Sequence, residues 1–354
     1  MKSMIGRRAM GNYAYASARV KTRKSFLYPK ETYLKLLQMD LPEISRFIEE
    51  SRYKKEIDEL ANKYSGIDLL EYALNLNMAR EMNEVLDFCQ GEMKILLGAY
   101  LMKWDVWNIK SILRGKNYGA SEDEIKETFV PAGELRMSTL VDLIHKGSIP
   151  DVIEGLNGTR FYKPLSSSLE EFNRTHTLSR LENNLDKAYY AYLLSIKLAG
   201  TSADELMMTF VRREVDITNL RTLFRLKRQG LEHEKIMDYI VPGGKLKADE
   251  MRKLAQAPSF DEFVNLVKDT PYWPDLAEAV ENYRATGSLN AIEVALTRAD
   301  ISYADKISHA YPLSILPILG YTVRKQVEVN NIRTIARGKE VNLSNEVIRN
   351  QLVI

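Results

Sequence analysis

The sequence predicts an all-α protein built from three similar helical units, and three observations lead to this prediction. A segment of twelve residues occurs three times at nearly equal spacing, and each copy follows a residue pattern that is typical of a helix start. The 354 residues also contain no convincing run of alternating β-branched residues. Self-similarity at a fixed period marks an array of one structural unit. We therefore expect three units that bury faces against one another in a pseudo-threefold or arched array.

The composition is that of a folded, helix-favouring protein, with 45% apolar residues, 28% charged residues and 11 prolines. The single cysteine, Cys89, excludes an internal disulfide framework and suits a reducing compartment. The longest apolar run, residues 311–323, has 13 residues and two prolines, whereas a membrane-spanning helix needs about 20 apolar residues. Because the amino terminus also lacks a signal-peptide pattern, we expect a cytosolic protein without a transmembrane segment.

The repeated segment, here called the motif, reads DVWNIKSILRGK at residues 105–116, DITNLRTLFRLK at 216–227 and EVNNIRTIARGK at 328–339. Each copy has an acid, an asparagine three positions later, an arginine nine positions later and a lysine eleven positions later. The asparagines are 111 and 112 residues apart. The twelve residues that define the motif are Asp105, Asn108, Arg114, Lys116, Asp216, Asn219, Arg225, Lys227, Glu328, Asn331, Arg337 and Lys339.

On a helix with 100° between successive residues, the motif acid falls inside the arc of apolar positions and the asparagine lies at its edge. A carboxylate on an apolar face is costly unless it has a partner. We therefore expect Asp105, Asp216 and Glu328 to meet basic or amide groups from another helix. A catalytic site rarely recurs three times at equal spacing in one chain, so we interpret the motif as a packing element, with direct contact to a partner protein as the alternative.

Upstream of each motif lies a pattern typical of a helix start. Glutamates at positions 71, 182 and 293 are 111 residues apart, and a good N-cap residue stands three positions before each of them. Such a pair forms a capping box, in which two side chains satisfy the free N–H groups of the first turn. The predicted boxes are Asp68 with Glu71, Ser179 with Glu182, and Asn290 with Glu293. Further candidate caps are Ser121 with Glu124, Ser168 with Glu171, Ser202 with Glu205, and Ser259 with Glu262.

The segments that follow Pro131 and Pro242 resemble residues 33–53 near the start of the chain. This likeness places the unit boundaries at a basic amino-terminal segment, 1–27, and three helical repeats, 28–130, 131–241 and 242–354. The third motif is followed by too few residues to complete its unit. We therefore expect the third repeat to share its missing end with the amino-terminal part of the chain by permutation.

Charge is distributed unevenly along the chain. The net charge is +2, but residues 1–30 hold eight basic residues and no acid. Such a segment could contact nucleic acid, anionic lipid or an acidic protein surface, and a merely solvated basic end is the simpler explanation. The candidate contact residues are Arg19, Lys21, Arg23 and Lys24.

No pattern of catalytic, cofactor-binding or metal-binding residues is recognisable. The four histidines are scattered and lack the spacing of a zinc site. The PGGK stretch at residues 242–245 lacks the order of a phosphate-binding loop and is more typical of a turn between units. The residues therefore carry no signature of an enzyme or of a cofactor, and an enzyme, which would require a pocket with convergent polar groups, is the third hypothesis. A helical-repeat scaffold that binds nucleic acid or another acidic partner through its basic end is the alternative function.

Four stretches of the sequence resemble the C subunit of the archaeal and bacterial A/V-type ATP synthase, the counterpart of the d subunit in the eukaryotic vacuolar proton pump. They are NYAYASARVKTRKSFL near the start, WDVWNIKSILRGK, VRREVDITNLRTLFRLK and VEVNNIRTIARGK. The likeness extends over essentially the whole chain, and its three motif copies stand in the same order. The third copy departs mildly, with Glu328 in place of an aspartate.

The resemblance implies a funnel of three similar helical domains that acts as a non-catalytic adaptor of the central stalk, or rotor. In that family the funnel accepts the shaft formed by the D and F subunits, and its other side sits on the membrane-embedded proteolipid ring. The resemblance further implies one copy per complex, a peripheral position on the cytoplasmic face of the membrane, no nucleic acid as partner, and a role in coupling ion transport to ATP synthesis or hydrolysis.

Overall fold

The computed structural model describes residues 11–198 and 203–354, and throughout these ranges the regular secondary structure is helical, without a β-strand. The predicted all-α class is therefore confirmed. The helices are α1 (Tyr13–Lys24), α2 (Lys30–Leu36), α3 (Leu41–Glu49), α4 (Lys54–Leu60), α5 (Gly66–Phe88), α6 (Gly91–Leu101), α7 (Lys103–Tyr118), α8 (Glu122–Glu127), α9 (Met137–Ile144), α10 (Ile149–Gly155), α11 (Tyr162–Ser166), α12 (Leu169–Thr175), α13 (Ser179–Ser195), α14 (Ala203–Arg228), α15 (His233–Met237), α16 (Ala248–Gln256), α17 (Phe260–Val267), α18 (Trp273–Thr286), α19 (Asn290–Ala310), α20 (Leu316–Glu340) and α21 (Asn345–Arg349).

Each motif lies on a long helix that follows another long helix. The three motif helices are α7, α14 and α20, and they follow α5 with the short α6, α13 and α19. All three close in the same way, fourteen residues after the motif acid, with Gly119, Gly230 and Asn342 at φ values of 72°, 70° and 56°. Glycine and asparagine adopt this left-handed conformation most readily, so the sequence ends each motif helix at the same turn.

The helices open close to the predicted positions, but the predicted residues do not cap them. α5, α13 and α19 begin at Gly66, Ser179 and Asn290, and no side-chain capping hydrogen bond is present at these starts. Asp68 lies inside the first turn of α5 rather than before it. The three predicted boxes, Asp68–Glu71, Ser179–Glu182 and Asn290–Glu293, are therefore wrong. The physical reason is that their glutamates are used by motif arginines from another part of the chain, as described below.

Two of the further candidate caps are confirmed. Ser121 and Glu124 form a complete capping box at α8, and Ser259 accepts the N–H of Glu262 at α17. Ser168 precedes α12 but makes no side-chain capping bond. The candidate at Ser202 lies outside the described residues.

The buried apolar side chains form two clusters. The larger one extends from α1 to the first half of α14 and also includes α20 and the end of the chain, whereas the smaller one joins the rest of α14 to α15–α19. The last long helix thus shares a core with the first helices. Along the described chain, no helix combines the length and the apolar character needed to cross a bilayer.

Candidate functional site

Each motif helix packs against the long helix of the next unit. α7 contacts α13, α14 contacts α19, and α20 contacts α5. With the predicted boundaries, these contacts would lead from the first repeat to the second, from the second to the third, and from the third back to the first. The motif residues lie along these contacts, which makes the three motif helices and their surroundings the candidate functional site.

The motif asparagine holds a segment that lies 22 residues further along the chain. Asn108 donates to the carbonyl oxygen of Val130 at 2.9 Å and accepts the Val130 N–H at 2.8 Å. The same pair of bonds joins Asn219 to Val241 at 2.8 and 2.8 Å, and Asn331 to Val353 at 2.9 and 3.0 Å. A side-chain amide has one donor side and one acceptor side, so it satisfies both main-chain groups of a buried residue that lies outside a helix.

The motif acid holds the linker that comes next. Asp105 is fully buried, and its two oxygens accept the N–H groups of Glu134 at 2.7 Å and Leu135 at 2.9 Å. Gly133 in this linker lies so close that a Cβ atom would overlap the Asp105 carboxylate. Glycine is therefore required here by the close approach of main chain and acid.

The second and third copies repeat this arrangement. Asp216 accepts the N–H groups of Lys245 and Leu246 at 3.0 to 3.2 Å, and Glu328 accepts the N–H of Tyr28 at 2.7 Å. We call these contacts the first junction (Asp105 with residues 131–135), the second junction (Asp216 with residues 242–246) and the third junction (Glu328 with Tyr28). Tyr28 lies two residues before α2, as Leu135 and Leu246 lie two residues before α9 and α16.

The expectation for the acids thus needs correction in one respect. All three have partners, but the partners that recur are main-chain N–H groups of non-helical linkers, not groups on another helix. The second and third junctions add a tyrosine hydroxyl, from Tyr272 to Asp216 at 2.6 Å and from Tyr53 to Glu328 at 2.7 Å. The third also contains a buried cation, because Lys325 lies 2.8 Å from Glu328.

The motif arginine forms an ion pair with the glutamate of the next unit. Arg114 binds both oxygens of Glu182 at 2.7 and 2.6 Å, and Arg337 binds both oxygens of Glu71 at 2.8 and 2.7 Å. Arg225 binds Glu293 through one oxygen, at 2.7 Å from Nε. The Glu71–Arg337 pair joins residues 266 positions apart in the sequence. These glutamates therefore connect helices instead of capping them.

The motif lysines have less uniform roles. Lys227 donates to the carbonyl of Ala257 at 2.6 Å and Lys339 to Asn345 Oδ1 at 2.7 Å. Lys116 is half-buried at the end of α7. The asparagine, the acid and the arginine are thus the positions that the three copies use alike, which supports the interpretation of the motif as a packing element.

The residues two positions before the motif acids are connected by hydrogen bonds, directly or through one tyrosine. They are Lys103, Glu214 and Gln326, one from each motif helix. Lys103 Nζ donates to Gln326 Oε1 at 3.0 Å and to the hydroxyl of Tyr100 at 3.2 Å, and Tyr100 donates to Glu214 at 2.7 Å. We call Lys103, Glu214, Gln326 and Tyr100 the central cluster, because it joins all three motif helices at one place.

Burial dominates the electrostatics of the central cluster. It raises the pKa of Glu214, against the opposing attraction of Lys103, and it raises the pKa of Asp300 on α19, against the attraction of Arg213 and Lys103. Burial also lowers the pKa of Lys103, although Glu214 and Asp300 act in the other direction. Each of these groups therefore loses hydration through burial, and its ionised form is favoured only by the opposite charges nearby.

Two of the four candidate contact residues in the basic amino-terminal segment are used inside the molecule. Arg23 pairs with Glu81 and Glu84, and Lys24 pairs with Asp305 at 2.6 Å. Arg19 and Lys21 are exposed, and Arg19 stacks over the ring of Phe88. Lys2, Arg7 and Arg8 lie outside the described residues. The exposed part of the proposed basic contact is thereby reduced to Arg19 and Lys21 within α1.

The described residues contain no group of three or more His, Cys, Asp or Glu side chains able to hold a metal ion. Sequence reasoning did miss the central cluster and the tyrosines at the junctions. The repeat itself carried a signal for the cluster, since a lysine, a glutamate and a glutamine stand at one equivalent position of three helices that meet. The tyrosines required knowledge of which turn packs against which acid.

Comparison with known proteins agrees with this architecture. The profile of the ATP synthase (C/AC39) subunit family matches residues 16–351. The chain is 46% identical to the C subunit of the A-type ATP synthase of Methanococcoides burtonii over 97% of this chain and 94% of that protein. It is 43% identical to the same subunit of the Methanosarcina acetivorans enzyme over 100% and 96% of the two chains, and 39% identical to that of Haloferax volcanii over 97% and 98%. The chain therefore belongs to the ATP synthase (C/AC39) subunit family and is a non-catalytic subunit of an A-type ATP synthase.

Proposed function

We propose that this chain is the central-stalk adaptor of the rotary complex, one copy of which couples the shaft formed by the D and F subunits to the membrane proteolipid ring. In this role it transmits torque between ATP chemistry in the catalytic subunits and ion transport in the membrane. It lies on the cytoplasmic face of the membrane and is held there by protein contacts. Its three repeats, 28–130, 131–241 and 242–354, form a funnel around a pseudo-threefold axis.

The observation that carries this proposal is the cyclic set of contacts in which α7, α14 and α20 pack against α13, α19 and α5. Three motif helices are each joined to the next unit by a bidentate or single arginine–glutamate pair, and all three meet at the central cluster. An adaptor that transmits torque must resist local opening, and segments with buried contacts and protected hydrogen bonds open least. A cyclic arrangement also gives two ends on which different partners can bind.

The decisive experiment is a pull-down of the full-length chain with a purified proteolipid ring and, separately, with a purified D–F shaft. We expect both to be retained. Failure to retain either one would overturn the adaptor role.

A second arm tests the basic contact. Because Arg23 and Lys24 have internal partners, only Arg19 and Lys21 are replaced by glutamine. The matched control replaces Lys146 and Lys163, two exposed lysines of the second repeat. If Arg19 and Lys21 contact an acidic partner surface, their replacement weakens retention at moderate salt and the control does not. Equal retention by both variants would exclude that contact.

A further inference from the structure

The first junction lacks two groups that the other two junctions possess. The residue directly before α11, α18 and α4 is Phe161, Tyr272 and Tyr53, respectively. The hydroxyls of Tyr272 and Tyr53 donate to the acids of the second and third junctions, whereas Phe161 at the equivalent position has no hydroxyl. The residue three positions before the acid differs in the same way. It is Met102 in the first junction, whereas Arg213 and Lys325 occupy the second and third.

These two differences act together on the buried acid. Lys325 stacks over the Tyr53 ring and reaches Glu328, and Arg213 stacks over the ring of Tyr272, which bonds Asp216. Asp105 has neither a hydroxyl donor nor an adjacent cation in its place, because Phe161 and Met102 are both buried apolar side chains. Its carboxylate depends on the two N–H groups of Glu134 and Leu135.

The charged residues that act on Asp105 lie in two neighbouring segments. Glu134 of the linker disfavours the ionised acid, and Arg160 in the turn before α11 favours it. Arg160 and Glu134 are themselves 3.6 Å apart, so much of their effect on Asp105 cancels. Burial then dominates and raises the pKa of Asp105 to about 6, although the two N–H groups oppose the shift.

We propose that the first junction is a proton-responsive latch, in which proton uptake by the buried Asp105 carboxyl tightens the linker at residues 131–135 and proton loss loosens it. The sign follows from linkage. When the linker opens, Asp105 meets water and its pKa returns toward the usual 3.8 of an aspartate. The closed form therefore binds the proton more strongly, and lowering the pH favours closure. With a pKa of about 6 in the closed form, the opening equilibrium falls about tenfold between pH 8 and pH 5.

Residue-resolved amide exchange on the full-length chain tests the latch directly. The reporters are the N–H groups of Glu134 and Leu135, and the internal control is the N–H of Val130, which is held by the non-titrating amide of Asn108. After correction for the intrinsic pH dependence of exchange, we expect Glu134 and Leu135 to gain about tenfold protection from pH 8 to pH 5 relative to Val130. An unchanged ratio would overturn the latch.

Two reciprocal variants identify the hydroxyl as the missing group. Phe161→Tyr introduces a hydroxyl at the position that Tyr272 holds in the second junction, so we expect it to reduce the pH response of Glu134 and Leu135. Tyr272→Phe should enlarge the response at Lys245 and Leu246, the N–H groups held by Asp216. A response that persists undiminished in Phe161→Tyr, or that fails to grow in Tyr272→Phe, contradicts the proposal. The wild-type measurement decides the matter even if a variant does not fold, and it needs no partner protein.

Discussion

At the scale of single residues, the motif asparagine makes the same hydrogen bonds in all three copies. Asn108, Asn219 and Asn331 each bond both main-chain groups of a valine 22 positions later and are at most 3% exposed. A buried residue outside regular structure must satisfy its N–H and C=O groups by some other partner. The amide of asparagine supplies both in one plane, so replacement by an aspartate or a leucine would leave at least one group unpaired.

Asn108→Ala should therefore destabilise the protein by about 2–4 kcal/mol, since it leaves the buried N–H and C=O of Val130 without partners. Urea denaturation followed by circular dichroism measures the change. The matched control is Asn117→Ala, an exposed residue on the same helix, which should change the free energy of unfolding by less than about 0.5 kcal/mol. Equal effects of the two substitutions would contradict the bridging role.

At the scale of helices and linkers, the sequence predicted where elements begin better than what their polar residues do. The first turns of α13 and α19 contain the repeated glutamate and that of α5 contains Asp68, and an acid in a first turn is favourable wherever its side chain points. Whether that glutamate caps its own helix or binds an arginine elsewhere depends on a neighbour 68 or 266 residues away. Local pattern contains no information about such a neighbour.

At the junctions, too, the sequence predicted the burial of the motif acids but not the identity of their partners. The periodicity placed Asp105 on a buried face, and burial correctly implied a partner. The partner proved to be main-chain N–H groups of residues 134 and 135, and every residue type except proline offers that donor. No side-chain pattern could therefore identify it. The close glycine at position 133 was the one visible trace, since only a residue without Cβ fits against the carboxylate.

The arginine–glutamate pairs between helices should each contribute modestly, because Arg337 is about half exposed and Glu71 is 19% exposed. In a double-mutant cycle that reverses both charges, Arg337→Glu and Glu71→Arg, we expect a coupling free energy of about 0.5–1 kcal/mol and partial recovery in the double variant. The control cycle uses Arg284 and Glu281, a pair within α18 alone, for which about 0.2–0.5 kcal/mol is expected. No coupling between Arg337 and Glu71 would mean that this ion pair adds nothing measurable to the contact between α20 and α5.

At the scale of the whole molecule, the symmetry of the repeat is broken where the three motif helices meet. If the three motif helices carried the same charged residue two positions before the motif acid, three equal charges would lie close together. Three lysines or three glutamates would then repel one another in a poorly hydrated space. Lys103, Glu214 and Gln326 instead provide one cation, one anion and one neutral amide. This composition lets three similar helices converge, with Lys103 bonded to Gln326 and connected through Tyr100 to Glu214.

Lys103→Met should therefore destabilise the entire chain, and more strongly at high pH. Loss of the lysine removes a cation that favours the ionised forms of Glu214 and Asp300, although Asp300 keeps Arg213 and Arg221. It also leaves Gln326 and Tyr100 without the Lys103 donor, so we expect a cost of about 1–3 kcal/mol. Both acids have a raised pKa, so at pH 5.5 they take up protons in the folded state and the missing cation matters less. We expect the loss at pH 8 to exceed that at pH 5.5 by at least about 1 kcal/mol, with one pKa unit equal to about 1.4 kcal/mol.

Urea denaturation at the two pH values measures this loss of stability. The control is Lys116→Met, at a half-buried position at the far end of the same helix, and it should cost less than about 0.5 kcal/mol at both pH values. A loss for Lys103→Met that is independent of pH would show that the lysine contributes packing and hydrogen bonds, and not charge, to the central cluster.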